Sequence, residues 1–556
     1  MFTQIFKILK STLRNVYALM SRDKKSSAPF VRESTGLVKS VSALDVLAFT
    51  LLAAGPLVLI PLGVLTLPSV YEGSSLFVIF GLSLPILIAL AFNTVALSST
   101  MPRAGGDYVF GSRIIHPVWG MIPSFMALFS FVVGIGTLSV LMLQAFLGPA
   151  FLTSYPQTAP TIVQVIYTSK LDLLAISALL LLLVFGLAMV SNRVWFWFIR
   201  VLSLIAFVGV LVLSFYLFST PHATLVHNFD TQLATGFNTS QVYANATASG
   251  WNPTLSGSPL TTAGAMVFVF FFLAAPISAY FAGEIKNTLR SMSVGVMGGT
   301  LVSWVIAAMG VAAFFVGFGY RFLSAYGFEA LVNPTTAPSG AFSVNALVLA
   351  AVANPNTAFF IGLGFFLAVL GLVAAPILPA SRILFAWSFD QLIPKNFASI
   401  SDRTHTPIFS LGIICALTII VAALDTYLSS VLGSFLATTL IVAIAFLPNG
   451  VTALVLPFKA PSVFQTAPLT VKRSIGRLPL ITLTGLIHTL GLGAIILLVF
   501  LNPASAGTST GTLSAGALGV VLAGLVASIA FYPVARAIRR RSGVDISLAF
   551  KEIPPN

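Results

Sequence analysis

LAAGP at residues 52–56 interrupts one long apolar segment of the chain, and LAAP at residues 273–276 interrupts another. Inside a bilayer every backbone N–H and C=O needs a partner, so a membrane helix can unwind only where the freed groups face protein, water or a ligand. Pro56 and Pro276 lie 220 residues apart, at the same step of two successive hydrophobic blocks. This arrangement is typical of inverted-repeat transporters, which bind their substrate at the repeat interface.

The composition indicates a membrane protein with many spans. Of the 556 residues 57% are hydrophobic and only 8% are charged, with a mean hydropathy of +1.01. A soluble chain of this length is far more polar. A spanning helix needs about 20 mostly apolar residues. On this basis the sequence predicts twelve helices, at residues 43–70, 75–100, 117–145, 171–191, 193–218, 261–284, 293–319, 356–386, 407–424, 428–456, 478–501 and 514–537.

The distribution of positive charge predicts the orientation. The formal net charge is +14. With the N-terminus in the cytoplasm, 26 of the 28 Lys and Arg residues fall on the inner side, and only Lys170 and Arg321 do not. The positive-inside rule therefore predicts a multi-pass protein of the cell membrane with both termini cytoplasmic. The excess charge faces anionic membrane lipid and gives no evidence of nucleic-acid binding.

The predicted helices divide into two five-helix blocks and a remaining pair. Five helices per block is an odd number, so the second block is inverted relative to the first. The N-terminal tail has apolar residues at helical spacing among basic ones, which fits either an amphipathic surface helix or a disordered tail. The predicted divisions are an N-terminal tail (1–40), a first repeat (41–218), an extracellular loop (219–260), a second repeat (261–457), helices eleven and twelve (458–537) and a C-terminal tail (538–556).

Three segments, each at a predicted inner loop, carry motifs. MPRAGGDYVFGSRIIHP at residues 101–117 resembles the P-x-A-G-G-x-Y signature of the amino acid/polyamine/organocation transporter superfamily. GEIKNTLR at 283–290 and ASRILFAWSFDQLIP at 380–394 are similar to two further segments of that superfamily, and they follow in the same order. The resemblance implies an all-α membrane protein with a LeuT-like 5+5 inverted repeat plus two C-terminal helices. It also implies an amino acid permease.

Charged residues of these motif segments are candidates for a cytoplasmic gate. Opposite charges at the inner face can pair and close it. The chain has only 14 acidic residues, so acids at these positions are informative. The predicted gate residues are Arg103, Asp107, Glu284, Lys286, Arg382 and Asp390.

The interruptions themselves predict how an amino acid would be bound. Free N–H groups at the start of a half-helix favour a carboxylate, and free carbonyls at the end of one favour an ammonium. By this logic and by the resemblance, backbone at 54–57 receives the carboxylate and carbonyls at 272–274 receive the ammonium. A further AAP at residues 374–376, taken singly, reads as a plain kink. The predicted substrate-binding residues are Ala53, Ala54, Gly55, Pro56, Leu57, Phe272, Leu273, Ala274, Ala275, Pro276 and Ser278.

Missing polar residues predict the substrate class and the coupling ion. Predicted helices one, three, six and eight contain no charged residue at membrane depth, which favours a neutral, apolar or small amino acid. Residues 359–380 lack Ser and Thr, which disfavours a sodium site of the LeuT kind. Proton coupling through Asp45 or Glu284, exchange and facilitated transport are all left open, as is the oligomeric state.

Other classes of protein are weighed on the same residues. An enzyme would need clustered His, Asp, Glu or Cys at membrane depth, whereas the five His residues are scattered. We therefore predict no enzyme activity, no metal and no cofactor. The alternatives that stay open are a transporter-fold amino acid sensor or receptor, and a transporter of a related amine or organic cation.

Overall fold

The computed structural model describes residues 37–551, except 159–160, 233–237, 253–256, 275, 333–342, 436 and 507–512. The predicted N-terminal surface helix lies outside these residues. Twelve helices in the described part are long and apolar enough to cross a membrane, which confirms the predicted all-α class. They are α1 (Ala43–Val70), α2 (Leu76–Thr100), α3 (Pro117–Ser154), α4 (Lys170–Val190), α5 (Asn192–Ser219), α6 (Pro259–Tyr280), α7 (Thr288–Phe318), α8 (Pro355–Phe389), α9 (Ile408–Leu428), α10 (Thr438–Lys459), α11 (Leu480–Leu501) and α12 (Ala515–Arg541).

Several helices begin where the sequence supplies a cap. Ser42 and Asp45 form a capping box at the start of α1. The side chain of Ser191 accepts from the Val194 N–H at the start of α5. Proline occupies the first position of α3, α6 and α8, where its missing N–H has no helical acceptor to lose. Local chemistry therefore fixes these starts.

Two predicted boundaries are wrong. Helix α3 continues past residue 145 to Ser154 through a π-helical turn at Leu143–Leu147. Helix α10 begins at Thr438 rather than at residue 428, and the helical segment before it runs over Ile408–Phe435 with non-helical backbone at Leu428. Hydropathy places such ends poorly, because the apolar composition continues across them.

Short helices cover one end of the bundle. The segment Tyr320–Val332 packs on the second half of α1, and Thr239–Ala248 packs on Tyr320–Val332. Trp251 Nε1 donates to Ser324 Oγ at 2.9 Å. Asn238 caps the helix Thr239–Ala248.

The opposite end carries the three motif segments. We call this the basic end, and it comprises residues 101–116, 281–292 and 389–407 together with the loop between α10 and α11. That loop contains a two-stranded antiparallel hairpin, β1 (Ser474–Ile475) and β2 (Leu478–Pro479).

Helices α10 and α11 pack closely through glycine. A Cβ added at Gly485 would lie 2.5 Å from the backbone nitrogen of Leu454 and 3.0 Å from the Gly450 carbonyl oxygen. Backbone atoms cannot rotate away as a side chain can. Small residues allow membrane helices to approach in this way.

Gly485→Ala should therefore destabilise the protein, and Gly493→Ala should not. Overpacking of this kind costs about 1–3 kcal/mol. Gly493 lies on the same helix and a Cβ there meets nothing within 4 Å. The stability of both variants is measured as the melting temperature of the purified protein in detergent, with size-exclusion chromatography as the readout of unfolding. Equal melting temperatures for the two variants would contradict the close packing.

Candidate functional site

Helix α1 is divided at Gly55. It is helical over Ala43–Ala53 and again over Pro56–Val70. Gly55 between them is left-handed, with φ +56°, a conformation that other residues rarely adopt. Pro56 has no N–H, and the first N–H groups of a helix lack acceptors within it. The second half of α1 therefore begins with its N–H end inside the membrane span.

Helix α6 is divided after Leu273. It is α-helical over Pro259–Leu273, and the backbone is extended at Ala274. A 3₁₀ turn then runs over Pro276–Tyr280. Because Pro276 has no N–H, it cannot donate to the carbonyl of Phe272 four residues earlier. The Phe272 carbonyl is therefore left without its helical donor by covalent structure alone.

A third division lies in α8. The helix ends at Ala374 and resumes at Ile377, with Pro376 between them. Because Pro376 has no N–H, the Leu372 carbonyl four residues earlier has no helical donor. The sequence predicts a plain kink at this tripeptide, and the structure has the helix interrupted between Ala374 and Ile377.

The three divisions meet. A Cβ built on Gly55 lies 3.6 Å from the Phe272 carbonyl oxygen and 3.7 Å from both methyl carbons of Leu372. Leu52 lies about one turn before Gly55 in α1. A Cβ built on Gly371 of α8 would come within 2.7 Å of the Leu52 side chain. Gly55 thus lies beside the donor-less carbonyl of α6 and beside an apolar side chain of α8. A larger residue at position 55 would enter the space between them.

The predicted substrate-binding residues differ in exposure. Ala53, Phe272 and Ala274 are half-buried, while Ala275 lies outside the described residues. The Ser278 hydroxyl is buried and has no hydrogen-bond partner within the described part of the chain. The other predicted binding residues are buried: Ala54, Gly55, Pro56, Leu57, Leu273 and Pro276.

Glu284 and Arg382, both predicted gate residues, form an ion pair at the basic end. Arg382 Nε lies 2.6 Å from Glu284 Oε1, and its Nη2 lies 2.9 Å from Oε2. Both side chains are 0% exposed. The Asn192 amide of α5 donates to the same carboxylate. This bidentate pair ties the segment after α6 to α8 and α5.

Asp390 pairs with a residue that sequence reasoning did not select. Arg113 Nη2 lies 2.6 Å from Asp390 Oδ2, and the Tyr108 hydroxyl donates to that oxygen at 2.6 Å. The guanidinium of Arg113 also lies 4.8 Å from the centre of the Phe550 ring. Tyr108 and Arg113 both belong to the 101–117 motif segment, so their position in the motif is the sequence signal that could have identified them as functional residues.

Asp107 bonds to α6 instead of to a cation. Its carboxylate accepts from the Tyr280 hydroxyl at 2.8 Å, and the residue is 1% exposed. Burial raises the pKa of Asp107 to about 6, against the opposing effect of hydrogen bonds from Tyr280 and Asn449. The Gly105 N–H donates to the Tyr280 carbonyl at 2.8 Å. The glycine pair of the motif thereby brings this loop against the end of α6.

The other two predicted gate residues, Arg103 and Lys286, have different surroundings. Arg103 Nη1 donates to the Pro102 carbonyl at 3.0 Å. Lys286 is exposed and lines a cavity at the basic end. Within the described part of the chain, the ion pair between Glu284 and Arg382 joins two opposite charges of the predicted set.

Comparison with known proteins gives the family. A family model described as "Amino acid permease" matches residues 44–526. The chain belongs to the amino acid permease family. The permease is also 30% identical over 149 residues to "Cationic amino acid transporter 3, mitochondrial" of Arabidopsis thaliana, a match that covers 27% of this chain and 22% of that relative. The predicted superfamily resemblance is confirmed, and the permease is a multi-pass membrane protein of a transporter family.

Asp107→Asn should remove one pH-dependent contribution to the stability of the permease. The pKa of Asp107 is raised from 3.8 to about 6 by burial, so the fold favours the protonated carboxyl. Wild-type stability should therefore decline, relative to the variant, as pH rises from about 4 to 6, by on the order of 3 kcal/mol. Melting temperatures of both proteins between pH 4 and 8 measure the difference.

The exposed Asp402 supplies the control substitution, Asp402→Asn. It should change the pH profile of the melting temperature little, since the exposed side chain lies in water in both the folded and the unfolded chain. A parallel pH profile for wild type and Asp107→Asn would show that Asp107 stays ionised in the fold.

Proposed function

We propose that this permease is a secondary transporter that moves neutral, apolar or small amino acids across the cell membrane by alternating access. The observation that carries the proposal is that the left-handed turn at Gly55 lies beside the donor-less carbonyl of Phe272. Both termini lie in the cytoplasm in this proposal, because the basic end then faces the inner leaflet. Helices α1 and α6 rock against α3, α4, α8 and α9.

The backbone at the two divisions supplies both halves of an amino acid site. The half-helix that begins at Pro56 presents the Leu57 N–H and the positive end of its dipole to a carboxylate, since the N–H groups of Val58 and Leu59 already donate to the Gly55 carbonyl. The carbonyls that end the first half of α6, including that of Phe272, accept from an ammonium. The Ser278 hydroxyl is a further polar group in the 3₁₀ turn of α6.

Apolar surroundings support a neutral substrate. The Leu372 side chain of α8 lies beside the Gly55 turn. No Asp or Glu occurs in the stretches 46–71 and 262–283, which contain both divisions. A cationic side chain buried there would lack a partner, which is costly inside a membrane.

A cationic amino acid is the second candidate substrate. The specific observation in its favour is the partial similarity to the Arabidopsis thaliana relative, whose name is that of a cationic amino acid transporter. That match is short, and the residues at the two divisions supply no carboxylate for a cationic side chain. We rank the neutral substrate first for this reason. A related amine or organic cation falls under the same objection, and a sensor would bind a ligand without moving it.

The two ion pairs are proposed to hold the cytoplasmic gate closed. Glu284 with Arg382 connects the segment after α6 to α8, and Asp390 with Arg113 connects α8 to the loop before α3. Since α6 moves relative to α8 in alternating access, the first pair must separate or move with it.

Among carboxylates, Asp107 fits a proton-carrying role better than the two acids considered from sequence. Asp45 is bonded to Arg200 and Glu284 to Arg382. Asp107 is faced by the Tyr280 hydroxyl of α6 and by the Asn449 amide of α10. Protonation at Asp107 would change its bond to Tyr280, four residues after Pro276. Sodium remains disfavoured, and substrate exchange is the competing mode.

Counterflow into proteoliposomes tests the proposal. The wild type should accumulate labelled neutral amino acids, and unlabelled neutral substrates should compete better than lysine or arginine. Gly55→Leu should abolish the uptake, because the new side chain enters the space beside Phe272 and strains the left-handed turn. Runs with imposed proton or sodium gradients identify the coupling.

Gly81→Leu is the matched control. Gly81 is exposed on α2, and a Cβ there meets nothing within 4 Å. This variant should transport like the wild type, and both variants should elute as single folded species. Normal uptake by Gly55→Leu would show that the substrate does not bind at the division of α1. Preferred competition by arginine would reverse the order of the two substrate classes, and saturable binding without accumulation would indicate a sensor.

A further inference from the structure

A cavity of about 640 Å³ opens at the basic end, and the residues at which α1, α6 and α8 divide do not line it. Its walls come from the start of α1, the first two turns of α5 and the segment after α6. The lining residues include Asp45, Arg193, Trp197, Arg200 and Lys286.

The walls carry more positive than negative charge. Arg193, Arg200 and Lys286 contribute cations, and Asp45 is the one acid among the lining residues. Asp45 is already engaged, since Arg200 Nε donates to its Oδ1 at 2.6 Å. Neither Arg193 nor Lys286 has an ion pair with an acid in the part of the chain that the structure describes. Among the residues that the structure describes, these two cations of the cavity have no anionic partner.

The start of a long helix adds to this positive field. Helix α5 has 28 residues, and Asn192, Arg193 and Val194 of its first turn line the cavity. Ser191 caps the Val194 N–H, which leaves the N–H groups of Asn192 and Arg193 without helical acceptors. An anion at this position gains both from N–H donors and from the helix dipole.

Trp197 places the cavity at the depth of the membrane surface. Its side chain lines the cavity and the residue is 64% exposed. Tryptophan is enriched where a membrane helix meets the headgroups. Basic pockets between helices at this level are suited to the phosphate of a lipid headgroup.

We propose that this cavity binds the phosphate of an anionic lipid headgroup. Arg193 and Lys286 pair with the phosphate, and the first turn of α5 donates hydrogen bonds to it. A zwitterionic headgroup brings its own cation and gains less from two unpaired basic side chains. The site does not depend on the transported substrate, so the proposal stands or falls separately from the proposed function.

Lipid-dependent thermal stability of the purified permease tests the site. The protein in detergent is titrated with phosphatidylglycerol, with phosphatidylcholine and, without lipid, with inorganic phosphate. A ligand that binds the folded state raises the melting temperature. Phosphatidylglycerol should raise it by several degrees more than phosphatidylcholine, and native mass spectrometry should show the lipid retained on the protein.

The double variant Arg193→Gln/Lys286→Gln should lose at least half of the phosphatidylglycerol effect. The control is Arg473→Gln/Arg477→Gln, which removes the same charge from two exposed residues of the α10–α11 loop. The control should keep the full effect. Equal losses in both variants would mean a diffuse attraction to surface charge and would overturn the site.

If inorganic phosphate alone gave the whole shift in melting temperature, a lipid would be the wrong source of the phosphate. If the cavity variant failed to fold, Arg193→Lys/Lys286→Arg, which keeps both charges, should retain the phosphatidylglycerol effect; its loss would overturn the proposal.

Discussion

The carbonyl of Phe272 lacks a helical donor because residue 276 is a proline, and the organisation of the core follows from where that carbonyl lies. It lies beside the left-handed turn at Gly55, so the divisions of α1 and α6 face each other. The division of α8 supplies Leu372 at the same point. Irregular backbone deep in a membrane requires such protein surroundings. Three prolines in distant parts of the chain thus act on one small region.

The basic end is built on a different principle, the pairing of buried charges. Glu284 and Arg382 are entirely buried and doubly bonded, and an unpaired member would be expensive there. Asp107 is instead held by neutral donors from Tyr280 and Asn449. The backbone of the 101–117 loop rests directly on the end of α6, since Gly105 donates to the Tyr280 carbonyl. The loop can therefore respond to any displacement of α6.

Most of the helices and the places where they divide could be predicted from sequence, because hydropathy and proline act locally. Proline at 56, 276 and 376 marks each division whatever surrounds it. The partners of the charged residues could not be predicted in this way. Tyr108 and Asp390 are 282 residues apart, and only the fold brings them together. The sequence predicts the start of α10 at residue 428 instead of Thr438, because apolar sequence continues through the residues before the helix.

The packing of Phe550 against Arg113 affects the order in which the protein can assemble. Arg113 also donates to the Ala549 carbonyl, 436 residues later in the chain. During synthesis the arginine emerges with the third helix, whereas its aromatic and carbonyl partners emerge only after the twelfth. The surroundings of Arg113 are completed last, so a ribosome-bound intermediate lacks this contact however well its earlier helices have inserted.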